Sequence, residues 1–187
     1  MKPILIAVAL ILSSISILNS QEKLIIDASK SQIKWFGEYT FYFGGHEGYI
    51  SFGEGYFIKT NEVITGGEFS IDMQTIICLN IKDDEANEGL VNHLKDPDFF
   101  DVINFPKASI AITNVEYHDQ TQMKVDADLT IKGITKPISF QAEVDFKKKQ
   151  MTTKFKIDRM KWGITYNSDI KDSAISDAIG FEVKLNL

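Results

Sequence analysis

The stretch that decides the fold class is residues 122–146, QMKVDADLTIKGITKPISFQAEVDF. Apolar and polar residues alternate without exception over residues 123–131, and they do so again over residues 138–146. Gly133 lies between the two runs and suits a tight turn. Because a period of two is typical of strands with one buried and one solvated face, this stretch predicts an antiparallel hairpin.

The same alternation recurs along most of the chain. It covers residues 33–43, 50–58, 69–73, 151–157 and 181–187, with a turn expected at residues 44–48 and a further strand near residues 108–115. The total is about eight or nine strands. Such strands must close into a barrel or stack into a sandwich to hide their apolar faces and their edges. The long first strands favour an all-β, eight-stranded antiparallel barrel, which is wide enough to hold one small ligand.

Residues 81–106 interrupt the alternation. Leu90, Val91 and Leu94 have the spacing of one helical turn, so a short helix is predicted there. Pro97 indicates the start of a second short helical segment. The acidic residues at 83–88 are interpreted as a solvated loop rather than a calcium site, because no glycine stands where a calcium-binding loop needs one.

The first 20 residues differ in composition from the rest. Met1 and Lys2 precede an apolar run that serines interrupt, a pattern typical of a secretory signal peptide and too short for a comfortable transmembrane helix. We therefore expect a signal peptide at residues 1–20, a single barrel domain at residues 21–187, and a periplasmic or secreted mature protein. A retained N-terminal anchor is the alternative. Cys78 is the only cysteine, so stability depends on burial rather than on a disulfide.

Charge and local motifs exclude several functions. Asp and Glu number 26 against 20 Lys and Arg, which leaves no basic field for a nucleic-acid partner. The sequence has no hydrolase, phosphate-binding or dithiol motif. A metal site would need His46 and His93 to meet from two separate loops. We interpret His46 as a polar turn residue and His93 as bonded to backbone at the helix end, and we predict no catalytic residue, metal or cofactor.

Four segments resemble one known family. Residues 93–102 read HLKDPDFFDV, with Asn104, Phe105 and Pro106 close behind, and residues 128–137 read DLTIKGITKP. Both are similar to signature segments of the YceI-like family of lipid- and polyisoprenoid-binding proteins, and residues 45–48 and 69–73 are similar to its shorter motifs. The resemblance extends over residues 24–187. It implies an extended, lipocalin-like antiparallel barrel with an apolar tunnel, an export signal and no catalysis.

The resemblance also implies a function. We expect an exported binding or carrier protein for a long-chain apolar amphiphile, such as a polyisoprenoid or an isoprenoid quinone, with transient membrane contact. The residues expected to line the tunnel are Trp35, Tyr39, Phe41, Ile50, Phe52, Phe69, Ile71, Val125, Phe140 and Phe155.

Two alternatives remain open at this point. One is a small barrel enzyme that acts on a bound lipid through His46 or His93. The other is an exported structural or interaction domain whose aromatic residues fill a solid core. For Phe99 and Phe100, simple packing and a role as a lid are both consistent with the sequence.

Overall fold

The computed structural model describes residues 21–41, 43–166 and 175–187. The predicted signal peptide lies outside these residues. The described strands are β1 (Gln21–Ile25), β2 (Gln32–Tyr39), β3 (Gly45–Thr60), β4 (Val63–Cys78), β5 (Lys107–Tyr117), β6 (Gln122–Ile131), β7 (Ile134–Asp145), β8 (Gln150–Asp158) and β9 (Ile175–Asn186). One α-helix, α1 (Asp84–Lys95), and one 3-10 helix (Arg159–Trp162) complete the described elements.

Eight of the strands form a closed antiparallel barrel. Each strand from β4 to β9 pairs with the next along the chain, β9 pairs with β2, and β3 pairs with both β2 and β4. Strand β1 pairs with the last part of β3, Tyr56 to Thr60, beyond the part that β2 covers. The prediction of an eight-stranded antiparallel barrel with short helical segments is confirmed.

The hairpin at the centre of the prediction is also present. Ile131 of β6 pairs with Ile134 of β7, and the two turn residues, Lys132 and Gly133, have φ values of 50° and 71°. Both turn residues are therefore left-handed, which is the geometry of the tight turn that suits the twist of a hairpin. Along β6 every second residue is buried, as the alternation predicts.

The barrel has two different ends. At the closed end lie the turns that join β3 to β4, β5 to β6 and β7 to β8, and the interior there is filled by side chains. Those with less than 2% of their surface exposed include Phe57, Ile64, Met123, Val125 and Val144. At the opposite end, which we call the helical end, α1, the 3-10 helix and the β6–β7 turn follow the strands. The site described below depends on this difference.

The predicted first strand and turn need correction. Strand β2 ends at Tyr39 rather than continuing to residue 43, and β3 already begins at Gly45. Residues 45–48 are strand because they pair with residues 35–38 of β2, while the end of β4 and the segment after it bond to their other side. The Leu79 N–H donates to the Glu47 carbonyl at 2.8 Å, and the Asn80 side chain donates to the Gly45 carbonyl at 2.7 Å. These partners are 32 and 35 residues away, so local sequence does not reveal them.

Helix α1 confirms the predicted helix but begins earlier than its apolar spacing indicates. The Asp83 carboxylate caps it by accepting a hydrogen bond from the Ala86 N–H at 2.9 Å. Asp84 and Glu85 stand in the first turn, where negative charge favours the helix dipole. Part of the predicted acidic loop is therefore the helix start. Within the described part of the chain, no helix combines the length and the apolarity needed to cross a bilayer.

Candidate functional site

An apolar cavity occupies the barrel between its filled end and α1. The space open to the centre of a water-sized sphere is about 180 Å³, and the walls are almost wholly apolar. All eight barrel strands contribute residues to these walls. The cavity therefore forms only when the sheet closes, and no single segment creates it. A cavity lined in this way is unfavourable to water and favourable to an apolar ligand.

Aromatic rings form much of the cavity wall. Phe140 and Phe155 stack with ring centroids 4.9 Å apart, and Phe155 lies 5.4 Å from Phe181 across the β8–β9 pair. On the opposite wall Phe52 meets Phe69 edge to face at 6.2 Å. Each ring packs against a neighbouring ring, and all five rings also line the cavity.

The helical end of the cavity is covered by a roof, which we define as Leu90 and Leu94 of α1 together with Phe99 and Phe100. All four line the cavity, and Phe99 is only 6% exposed. From above, the rings of His93 and Tyr166 contact Phe99 at 5.2 and 5.4 Å. The two interpretations of Phe99 and Phe100 are therefore compatible: both residues pack, and both lie over the cavity.

Polar groups concentrate near the helical end. The hydroxyl of Tyr39 and Nε2 of His46 are 2.8 Å apart, and both residues line the cavity. Glu38 and Ser176 are further polar residues of the wall. The polar cluster and the aromatic wall together suit an amphiphile, which has an apolar chain and a polar end.

Arg159 is a buried cation on the cavity wall. Its side chain is 3% exposed, and its guanidinium donates to the carbonyl oxygens of Ser176, at 3.1 Å, and Ile164, and to the Asp177 carboxylate at 3.3 Å. Burial lowers the pKa of this guanidinium from its ordinary value, and the nearby Asp177 carboxylate opposes that shift. Its hydrogen bonds connect the 3-10 helix to the segment after it and to the start of β9.

Four buried side-chain polar atoms have no hydrogen-bond partner among the described residues. They are Nε1 of Trp35, Nδ1 of His46, Nε2 of His93 and Oγ of Ser70. Most buried polar groups in proteins are paired, so each such atom needs an explanation. Trp35 and His46 line the cavity, whereas His93 and Ser70 do not.

Eight of the ten residues predicted to line a tunnel lie on the cavity wall: Trp35, Tyr39, Ile50, Phe52, Phe69, Ile71, Phe140 and Phe155. Phe41 does not, because β2 ends two residues before it and its side chain is 71% exposed. Val125 is fully buried and does not line the cavity, although Phe140, its register partner on β7, does. These two residues therefore lie off the cavity wall, and ligand binding by the other eight stays a prediction.

Several wall residues were not predicted. Leu90 and Leu94 are four residues apart and therefore lie on the same apolar face of α1, so the helical pattern could have identified them as residues that pack against the barrel. Arg159 and Ser176 have no comparable signal, because only the fold brings them to the cavity.

The histidines also differ from their sequence interpretation. His46 lies in β3 rather than in a turn, and Nδ1 of His93 faces the Asp98 carboxylate at 3.9 Å instead of bonding to backbone. Within the described ranges, the residues grouped closely enough to hold a metal together are His93, Asp96 and Asp98, of which the two aspartates are exposed. His46 is not in this group, so the two histidines considered from sequence do not form a joint metal site there.

Comparison with known proteins agrees with this architecture. The model of the YceI-like domain family matches residues 24–187. A UPF0312 protein of Staphylococcus aureus (strain MRSA252) is 30% identical over 126 residues, which cover 63% of this chain and 70% of that protein. Among solved structures, Burkholderia cenocepacia BcnA is similar with a TM-score of 0.70 at 16% identity, covering 86% of this chain and 98% of BcnA. The Campylobacter jejuni YCEI protein has a TM-score of 0.50 at 23% identity, covering 67% and 74%.

The contacts of Arg159 generate a stability prediction. We expect Arg159→Lys to lower the free energy of unfolding by about 1–3 kcal/mol. The single ammonium group of lysine cannot donate to both the Ser176 and the Ile164 carbonyl oxygens, as the planar guanidinium does. Asp177→Asn is the matched control, and it should cost less than about 1 kcal/mol because the Asp177 side chain is 68% exposed. Urea unfolding measures both. Equal losses in the two variants would show that the ion pair, rather than the carbonyl contacts, is the important interaction.

Proposed function

Because the chain belongs to the YceI-like domain family, we propose that it binds a long-chain apolar amphiphile, such as a polyisoprenoid or an isoprenoid quinone, and carries it unchanged outside the cytoplasm. The observation that carries the proposal is the apolar cavity inside the closed barrel. This cavity favours a binding role over a domain with an interior filled throughout. The predicted signal peptide supports export.

The energetics favour a flexible apolar chain as the ligand. Each CH₂ group moved from water into the cavity gains about 0.8 kcal/mol, and the aromatic wall gains dispersion contacts at the same time. No covalent step is needed for uptake or release. The arrangement therefore suits a carrier, in which the same contacts form on loading and break on delivery.

Direct analysis of bound lipid tests the proposal. We expect protein purified from its own membrane-containing host to hold a non-covalent apolar ligand, because an apolar cavity of this kind is costly to fill with water. Native mass spectrometry followed by organic extraction would detect it. Absence of lipid, together with no uptake of added polyprenyl or quinone compounds, would contradict carriage.

Two alanines on inward-facing positions distinguish the cavity from the filled end. Ala108 lines the cavity, whereas Ala127 is 1% exposed and does not. We expect Ala108→Phe to leave the ligand-free unfolding midpoint nearly unchanged and to weaken lipid uptake, since the new ring occupies ligand space. Ala127→Phe should instead lower the free energy of unfolding by about 1–3 kcal/mol through overpacking.

Thermal unfolding and uptake of a labelled isoprenoid measure the two effects. Glu143→Phe adds the same ring at an exposed position and controls for surface hydrophobicity. If Ala108→Phe destabilises the ligand-free protein as much as Ala127→Phe while uptake stays intact, the cavity is not the binding site.

Membrane contact is part of the same proposal. The segment between β2 and β3 exposes Phe41 and Phe43 at the helical end, beside wall residues Tyr39 and His46. Exposed aromatic side chains next to a lipid cavity suit brief insertion into a bilayer surface during ligand transfer.

The double substitution Phe41→Ser and Phe43→Ser tests this contact. It should slow transfer of a fluorescent isoprenoid from phosphatidylcholine vesicles, because the protein loses its apolar contact with the bilayer. Ile25→Ser is the control, since Ile25 is 65% exposed on β1, which pairs with the closed-end half of β3. Equal transfer rates for the double variant and the control would contradict a docking role.

A further inference from the structure

We infer that the ligand ends in an uncharged group that accepts hydrogen bonds, such as a carbonyl oxygen, and that Trp35, Gly37, Tyr39 and His46 form the subsite for it. The inference rests on the proposed function and specifies the chemistry of the amphiphile. It is carried by unpartnered buried donors, by an open space beside them, and by the distribution of charge around the cavity.

Trp35 supplies the first donor. Its indole N–H can only donate, yet Nε1 is buried with no acceptor in the described ranges, and the residue is 9% exposed on the cavity wall. Trp162 provides the contrast within the same chain. Its indole is 1% exposed and donates to the Leu129 carbonyl at 3.1 Å. The fold therefore satisfies one buried indole internally and leaves the other for an acceptor inside the cavity.

His46 and Tyr39 supply a second donor. Nε2 of His46 lies 2.8 Å from the Tyr39 hydroxyl, while Nδ1 is buried without a partner among the described residues. If the hydroxyl donates to Nε2, a neutral imidazole carries its hydrogen on Nδ1. If Nε2–H donates to the hydroxyl oxygen, the hydroxyl hydrogen remains available. In both tautomers one hydrogen of this pair is left for an outside acceptor.

Gly37 leaves room for that acceptor. It stands between Trp35 and Tyr39 on β2 and pairs with His46 on β3. By strand parity it shares the inward face of Trp35, and it lines the cavity. A Cβ added at Gly37 would meet no atom within 4 Å. The missing side chain thus leaves open space on the inward face of β2 between Trp35 and Tyr39.

Charge around the cavity favours a neutral end group. The charged residues on the described part of the wall are Glu38 and Arg159. Glu38 pairs with Lys156 at 3.2 Å and would repel an anion. Arg159 uses three of its five N–H groups on two carbonyl oxygens and on the Asp177 carboxylate, which also pairs with its charge. Because the cation on the described part of the wall is already paired with Asp177, a phosphate or carboxylate end would lose its hydration there without gaining an unpaired positive charge.

Three isoprenoid probes of similar chain length test the inference: farnesylacetone with a ketone, farnesyl phosphate with an anion, and β-farnesene with no polar group. We expect the ketone to bind about three- to tenfold more tightly than the hydrocarbon, the range for one net hydrogen bond. The phosphate should bind more weakly than the ketone. The chain has two tryptophans, so nitrogen-15 NMR shows two indole N–H signals. The ketone should move the Trp35 proton downfield, and the Trp162 signal should stay in place.

Two substitutions extend the test. Trp35→Phe removes the donor and keeps an aromatic ring, and Gly37→Val fills the open space. The ratio of ketone to hydrocarbon affinity should fall in Trp35→Phe, which keeps the second donor, and should fall to about one in Gly37→Val, whereas Ile25→Ser should keep the ratio of the unmodified protein. If a variant does not fold, the NMR shift of the unmodified protein decides.

The outcomes separate the two proposals. Binding of all three probes with equal affinity, or the same Trp35 shift with ketone and hydrocarbon, overturns the subsite and leaves carriage standing. Tighter binding of the phosphate overturns the neutral end group. Failure of every probe to bind overturns the subsite together with the proposed function.

Discussion

The pairing of β3 with both β2 and β4 is the constraint on which the rest of the structure depends. It converts a row of antiparallel strands into a closed sheet with no free edge in the barrel. The approach is close at Gly48, where an added Cβ would overlap the Ile77 carbonyl oxygen and come within 2.7 Å of the Trp35 ring. Glycine therefore allows β3 to lie between its neighbours while a large indole packs beside it.

Closure also determines how much space the interior contains. The number of strands sets the width of a barrel, and side chains then fill that width or leave part of it open. At the closed end, Phe57, Ile64 and Met123 meet across the interior and exclude solvent. At the helical end, the roof residues of α1 and of the segment after it span the opening. The space between filling and roof is the cavity.

The polar groups of the cavity divide into those that hold the fold and those that face inward without a partner. Arg159 belongs to the first kind, since its donors connect the 3-10 helix to the segment after it and to β9. Trp35 and His46 belong to the second. Buried polar atoms without partners reduce stability, so their presence on a cavity wall is best understood through what the cavity binds. The unpartnered atoms of Trp35 and His46 thus connect the structure of the barrel with its proposed role as a carrier.

The sequence alone determined the local pattern. Alternation predicted the strands, Gly133 predicted the β6–β7 turn, helical spacing predicted α1, and the segments around Phe99 and Ile131 identified the family. Parity also placed most wall residues on the inward face. It could not distinguish Val125, which is buried away from the cavity, from Phe140, its register partner on β7, which lines the cavity, because both face inward. Nor could it end β2 before Phe41, place His46 beside Tyr39, or bring Arg159 to Ser176. These depend on strand register and on tertiary contacts, and a period of two contains no information about which residue will be the partner.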